Sequence, residues 1–437
     1  MKLNILFLCD KPKGNANTIL DHISAFETYS NHTIWTYSNL GDFSPKLQLA
    51  RFDAIIVHYS LSLLYDHFIS PAAKRQLREF SGLKILFVQD EYRQINKLIE
   101  QIKFIEFDVL FTCFPEAEIE KIYSRAVLPN LLKYNNLTGY IPEKLAKLAE
   151  HKHMAEREID VGYRGRKIPY WLGELAYEKW SIVEKWRQYA ADTDLRVDIS
   201  YKEEERIYGI DWINFLSSCK TTLGVESGAS VMDFTGKLEK IIDFHQQNYP
   251  EDSFQEIQQM YLKEHEGKCK LNQISPRCFE AIALKTVLVL YEGEYSGILI
   301  PERHYIPLKK DFSNISAVIA KIKNIDYLQN MADTAFAEIA QNPKYSYKTF
   351  IHRVDEIISS AFAAKDKKKV AAAYTEKEFN EEILVFNAKL VREVKTTLYN
   401  TLIINNNRFF QFIKFLITRK IRLFNPLLRL VKNKIQL

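Results

Sequence analysis

Residues 275–290 read SPRCFEAIALKTVLVL. Ser275 is a residue type that caps helix N-termini, Pro276 suits the first helical position, and Phe279, Ile282 and Ala283 keep helical spacing. The stretch then runs into VLVL, apolar at every position, so it predicts a short helix feeding a buried strand. A strand apolar on both faces belongs to a parallel sheet covered by helices on each side.

The same rhythm of apolar run, polar turn and helical stretch recurs along the chain. In the first 115 residues the runs are 4–9, 54–58, 84–88 and 109–113; a second series covers 159–163, 195–200, 222–225, 286–291 and 305–308. Pro129, Pro142 and the charged stretch EKLAKLAEHKHMAERE separate the two series, which puts a boundary near residue 150. The chain therefore divides into an α/β domain at 1–150 and a second at 151–345. The second carries a mostly polar insertion at 234–274. A helix at 346–362 is expected to cross back to the first domain, and 363–437 would be an exposed linker and tail.

Composition agrees with a globular body. Of 437 residues, 47% are apolar, 26% charged and 13% aromatic, which excludes disorder as the main state. The five cysteines are odd in number and form no C-x-x-C pair, so neither a disulfide framework nor a zinc cluster is expected. Residues 389–437 hold eleven Lys or Arg against one Glu, a net +10, leaving −5 on residues 1–388 out of +5 for the chain. A mildly acidic body points away from nucleic acid as a partner. In the tail, Phe409, Phe412, Ile413, Leu416 and Ile417 share a helical side bordered by Lys414, Arg419, Lys420 and Arg422, and the apolar runs are too short to span a bilayer. That pattern fits a basic amphipathic helix at 397–437 lying on anionic lipid. The opening MKLNILFLCDKPKG is too short in apolar residues for a signal peptide, so a cytoplasmic protein, peripheral on the inner face of the membrane, is expected.

In paired parallel-sheet domains, ligands sit outside the carboxyl ends of the strands. In the first domain that position falls to Asp10, His58, Asp90 and Glu91. In the second it falls to Arg164, Arg166 and Lys167, and to Glu226 with Ser227 and Gly228. The helix start at Ser275 and Arg277 offers free N–H groups and a positive dipole end to a phosphate, and Glu280, one turn in, can accept from ribose hydroxyls. Asp192-Thr193-Asp194 reads as a solvated turn, and His151 and His153 lack further ligands, so no metal and no cofactor are expected.

The segment 275–290 resembles the donor-site stretch of GT-B glycosyltransferases, in which a Glu holds the ribose of a nucleotide sugar. IDVGYRGRKIPYWLG (159–173), TLGVESGASVMDFTG (222–236) and YSGILIPERHYIPLKKDFSN (295–314) extend that resemblance to the bacterial glycosyltransferase group 1, or CgeB-like, family. It implies two Rossmann-like domains with an interdomain cleft and transfer of a sugar from a nucleoside-diphosphate donor. The acceptor would be a saccharide or lipid-linked molecule in bacterial surface polysaccharide assembly. Glu280 becomes the ribose ligand, Arg164, Arg166 and Lys167 the diphosphate ligands, and Glu226 the displaced equivalent of a first donor-sugar Glu, since the position eight before Glu280 is Asn272. Lys285 replaces the family's helix-ending glycine and gives up its easy left-handed conformation. Asp90, Glu91 or His58 would act on the acceptor hydroxyl if configuration inverts, whereas Glu280 favours retention. A sugar-nucleotide epimerase of the same fold and a non-catalytic sugar-nucleotide scaffold are the alternatives.

Overall fold

A computed structural model describes residues 1–11, 17–148, 151–365 and 371–384. The first domain holds β1 (Asn4–Cys9), α1 (Asn17–Tyr29), β2 (Thr33–Ser38), β3 (Ala54–Val57), α2 (Pro71–Glu79), β4 (Leu83–Phe87), α3 (Ile95–Ile105), β5 (Val109–Thr112), α4 (Glu116–Ile122), β6 (Leu132–Asn135) and α5 (Glu143–Ala146). Its six strands form one parallel sheet in the order β2-β1-β3-β4-β5-β6. Alternation along each central strand sends side chains to two separate cores. Leu6, Leu8, Ile55, Val57 and Leu86 face one, and Ile5, Phe7, Ala54, Ile56, Ile85 and Phe87 face the other. Near-continuous apolar strands are the consequence of that double burial.

The second domain holds β7 (Ile159–Arg164), α6 (Glu174–Tyr189), β8 (Val197–Ser200), α7 (Gly209–Ser218), β9 (Cys219–Gly224), α8 (Lys237–Asn248), α9 (Phe254–Ile257), α10 (Pro276–Ala283), β10 (Val287–Tyr291), β11 (Tyr305–Leu308), α11 (Ile315–Lys323) and α12 (Ile325–Ala335). Its sheet is also parallel, ordered β11-β10-β9-β7-β8. The deciding segment forms as its residues dictate: the Ser275 hydroxyl accepts from the Arg277 N–H, Pro276 opens α10, and β10 is buried throughout. Lys285 adopts the left-handed conformation, at φ 55°, without the ease that glycine would give it. Its ammonium reaches Asp333 at 2.6 Å, which anchors the turn.

Helix α13 (Tyr347–Ala364) returns to the first domain, where Phe350, Ile351, Val354 and Ile358 join the core of β1, β3 and β4. The chain beyond it is not an exposed linker where it is described. Ala371 N–H donates to the Ala50 carbonyl at 3.1 Å and Gln48 N–H to the Tyr374 hydroxyl at 2.9 Å. Arg51 lies 3.7 Å over the Tyr374 ring and pairs with Glu378 at 3.1 Å, and Phe379 packs 5.0 Å from Trp35. Tyr374, Phe379 and Ile383 supply a buried stripe that the surrounding charges conceal. The tail at 397–437 lies outside the described residues.

The insertion is a clamp between domains rather than an elaboration of one. Asp233 N–H donates to the Tyr92 carbonyl (2.8 Å), Asn96 N–H to the Phe234 carbonyl (2.9 Å), and Lys270 N–H to the Glu118 carboxylate (3.0 Å). The Asp233 carboxylate, almost fully buried, accepts from the N–H groups of Gly236 (2.7 Å) and Glu239 (3.0 Å) and so fixes the start of α8.

Candidate active site

Two hollows of about 580 Å³ each lie between the domains and meet at Asp90, Arg166, Ile168 and Lys179. The first is walled by the strand ends of the second domain, with Arg277, Ser275, Ser227, Tyr208 and Trp212 also lining it; among the described residues only Ile19 and Asp90 reach it from the first domain. The second is lined mostly by the first domain, from Tyr59 to Tyr65 and from Gln89 to Arg93, with Lys167, Leu172, Glu203 and Gly228 opposite.

The turn after β7 divides its cations. Arg164 points inward: its guanidinium donates to the carbonyls of Glu205 (3.1 Å) and Asp198 (3.0 Å), pairs with the Asp198 carboxylate (2.8 Å) and lies 4.5 Å over the Phe215 ring. Those contacts occupy its fork, so Arg164 braces the turn and does not line either hollow, a correction to its expected place on a diphosphate. Arg166, two residues on, is exposed in both hollows and makes no hydrogen bond or ion pair among the described residues. Lys167 lines the second hollow, 5.0 Å above the Trp180 ring. Arg277 lines the first, lies 5.2 Å over the Trp212 ring and donates to the Arg164 carbonyl.

Lys179, from the middle of α6, completes the set and was missed in the sequence. Burial pulls its ammonium down to about 8; Arg166 and Arg277 push the same way while Asp90 opposes them. Its Nζ lies 3.4 Å from the Gly228 carbonyl. Gly228 itself, at φ 100°, admits no side chain, because a Cβ would stand 1.6 Å from the Leu271 carbonyl oxygen. The available signal was that Lys179 continues the buried stripe of Leu175, Val183 and Trp186, where a solvated lysine does not belong.

The carboxylates take distinct positions. Asp90, three residues past the end of β4, takes the left-handed conformation (φ 58°) and is exposed where the hollows join. Glu280 is 6% exposed and stands behind Trp212, accepting from its indole N–H at 2.8 Å; burial raises its pKa, and that bond works against the rise. Glu226 is 7% exposed and accepts from the N–H groups of Glu294 (3.0 Å) and Tyr295 (2.8 Å) and from the Asn272 amide (2.7 Å). Asn272, which breaks the familiar Glu spacing, thus meets Glu226 directly, and together they hold the loop after β10. Glu91 is buried, accepting from Thr112, Cys113 and Tyr123, and burial pushes it up to about 7.

His58 belongs to the core and not to the site. It continues the inward face of Ala54 and Ile56, its Nε2 lies 3.0 Å from His22 Nδ1 and its Nδ1 2.8 Å from the Ser60 hydroxyl. Burial holds both imidazoles below the ordinary range, His22 at about 3. Among the described residues no group of three His, Cys, Asp or Glu side chains is placed to hold a metal ion, and no helix is long and apolar enough to cross a membrane.

No protein-family model matches the chain, and no curated protein matches it. Among solved structures it is similar to an alpha-glucosyltransferase in complex with UDP-glucose and DNA containing an abasic site (TM-score 0.50, 12% identity, 82% of this chain and 100% of that one). It is likewise similar to HepE of Anabaena in complex with UDP-glucose (TM-score 0.50, 9% identity, 82% of this chain and 100% of that one). The architecture is the GT-B glycosyltransferase fold, two parallel-sheet domains facing one cleft. The first comparison also corrects the charge-based expectation about partners: DNA accompanies the sugar nucleotide in a protein of this fold, so net charge of the body does not exclude nucleic acid.

Proposed function

We propose that the protein is a glycosyltransferase that holds a nucleoside-diphosphate sugar in the first hollow and receives its acceptor through the second. The observation that carries this reading is the junction: Arg166, Lys179 and Asp90 belong to both hollows, which is where a sugar leaving one ligand for another must pass. Glycosyl transfer builds positive charge on the anomeric carbon and negative charge on the departing diphosphate. Arg166, Lys179, Arg277 and the start of α10 present positive groups to the second charge, and Asp90 presents a negative one to the first. Glu280 acts at one remove, by fixing Trp212 in the wall.

The acceptor in this reading is a saccharide or lipid-linked molecule of a bacterial surface polysaccharide at the inner face of the cytoplasmic membrane, as the sequence resemblance implies, and the transfer is read as retaining on account of Glu280. In a retaining reaction the departing phosphate takes the acceptor proton and Asp90 steadies the oxocarbenium-like centre.

The test incubates the full chain with a panel of nucleoside-diphosphate sugars, alone and with saccharide, lipid-linked and duplex DNA acceptors. Thermal stabilisation by one donor, slow release of its nucleoside diphosphate, and faster release with one acceptor are expected. Interconversion of the sugar without release, or binding with no turnover for any acceptor, would refute transfer; an inverted product would refute retention.

A further inference from the structure

Among the described residues, large apolar side chains are exposed at fifteen positions, and five of them fall within the insertion: Phe234, Ile241, Phe244, Tyr249 and Met260. Scattered singly, such residues need no explanation; concentrated, they mark a surface that is covered in use. Helix α8 orders two of them. At about 100° per residue, Lys237, Lys240, Ile241, Phe244, Gln247 and Asn248 share one arc of its surface, and all six are exposed, Phe244 to 69%.

Charge on that arc is one-sided. The acids of α8 lie elsewhere: Glu239 pairs with Arg93 at 3.0 Å and Asp243 is half-buried. His245 is engaged by Asp252 (2.7 Å) and Tyr261 (3.0 Å). The free face therefore presents two large apolar side chains, two lysines and two amides, with no acidic group. Its far side is fixed, since Ile242 is fully buried and Glu239 holds Arg93, a residue of the second hollow. The exposed face thus stands about one helix diameter, roughly 10 Å, from that hollow's wall.

We propose that this face of α8 docks on an anionic lipid bilayer, with Ile241 and Phe244 entering the acyl boundary and Lys237 and Lys240 meeting headgroup phosphates. A convex helix face with apolar residues between cations suits a plane of lipid, where the chains accept one set and the phosphates the other. An acidic protein groove would need concave complementarity, and a nucleic-acid backbone would leave Ile241 and Phe244 in water. The inference is independent of both the tail and the reaction; its effect is to bring the second hollow beside the membrane surface.

The full chain carrying Phe244→Trp tests it, with vesicles of phosphatidylglycerol and phosphatidylcholine in about equal parts whose acyl chains are brominated. The five native tryptophans, Trp35, Trp171, Trp180, Trp186 and Trp212, are all buried and stay unquenched. The indole introduced at α8 should shift to the blue and be quenched, and neither change should occur with pure phosphatidylcholine. Ile241→Ser combined with Phe244→Ser should weaken partitioning about tenfold at unchanged melting temperature. Sedimentation with vesicles but no quenching would overturn the proposal, as would absence of sedimentation. So would loss of self-association or of duplex DNA binding in the double variant with lipid partitioning intact.

Discussion

The two hollows have equal volume and unequal construction. Among the described residues the first is built almost wholly by one domain, from strand ends and the start of α10, so that domain's folding sets most of its shape. The second is divided between domains, and its shape depends on the clamp formed by the insertion around Tyr92 to Asn96. If, as proposed, the first hollow holds the donor and the second the acceptor, a preformed site and an assembled one can be perturbed separately, coupled through the residues at their junction.

The largest effect is expected at that junction. Arg166→Ala should lower kcat/KM by roughly a hundredfold or more, the scale of losing one preorganised charge at a leaving group, with little change in melting temperature. Arg164→Ala should do the reverse and cost stability first, because its guanidinium is spent on Asp198 and Glu205. Paired activity and melting curves check both; equal activity loss without destabilisation in Arg164→Ala would blur the distinction.

Next comes Lys179. Its ammonium titrates at about 8, so kcat/KM should fall as pH rises through 8, when the charge facing the phosphates is lost. Stability should move the other way: between about 8 and 10.5 the unfolded chain holds a proton that the folded chain does not, so folding is favoured as pH rises. Lys179→Met should remove the falling limb and lower turnover by roughly tenfold to a hundredfold without lowering the melting temperature. Persistence of the limb would assign it to another group.

The clamp separates the hollows more gently. Asp233→Ala leaves the Gly236 and Glu239 N–H groups without their acceptor, at about 1–3 kcal/mol. Acceptor KM should rise several-fold while UDP affinity stays unchanged; a matching loss of UDP affinity would show that the first hollow also needs the clamp.

The smallest effect on turnover belongs to His58→Phe. Because His22 titrates at about 3 and His58 lies well below its usual value, the unfolded chain binds protons that the folded chain refuses as pH drops below about 6.5. Stability is therefore lost on acidification, and removing His58 should reduce that loss in acid-unfolding curves while activity at pH 7.5 changes less than about twofold.

What the sequence disclosed follows from which positions are buried on two faces. The central strands of both sheets were legible because both sides are covered. TIWTYS of β2 and LKYN of β6 sit at sheet edges and were passed over: β2 buries only Trp35 and Tyr37, and β6 buries none of its four residues. At strand ends, sequence marks the place but not the direction of a side chain. Asp90 turns outward through a left-handed residue, whereas His58 keeps the inward phase of β3 and Arg164 finds partners on β8. Lys179 was hidden by the opposite error, since a lysine amid glutamates resembles a solvated helix face until the stripe beneath it is traced.

The most direct test of the account compares the equilibrium affinities of UDP and uridine for the intact protein and for Arg166→Ala. If the first hollow cradles a diphosphate at the junction, UDP binding should weaken at least about tenfold and uridine binding should not change. Equal weakening of both, or an undiminished affinity for UDP, would place the diphosphate elsewhere and contradict the account.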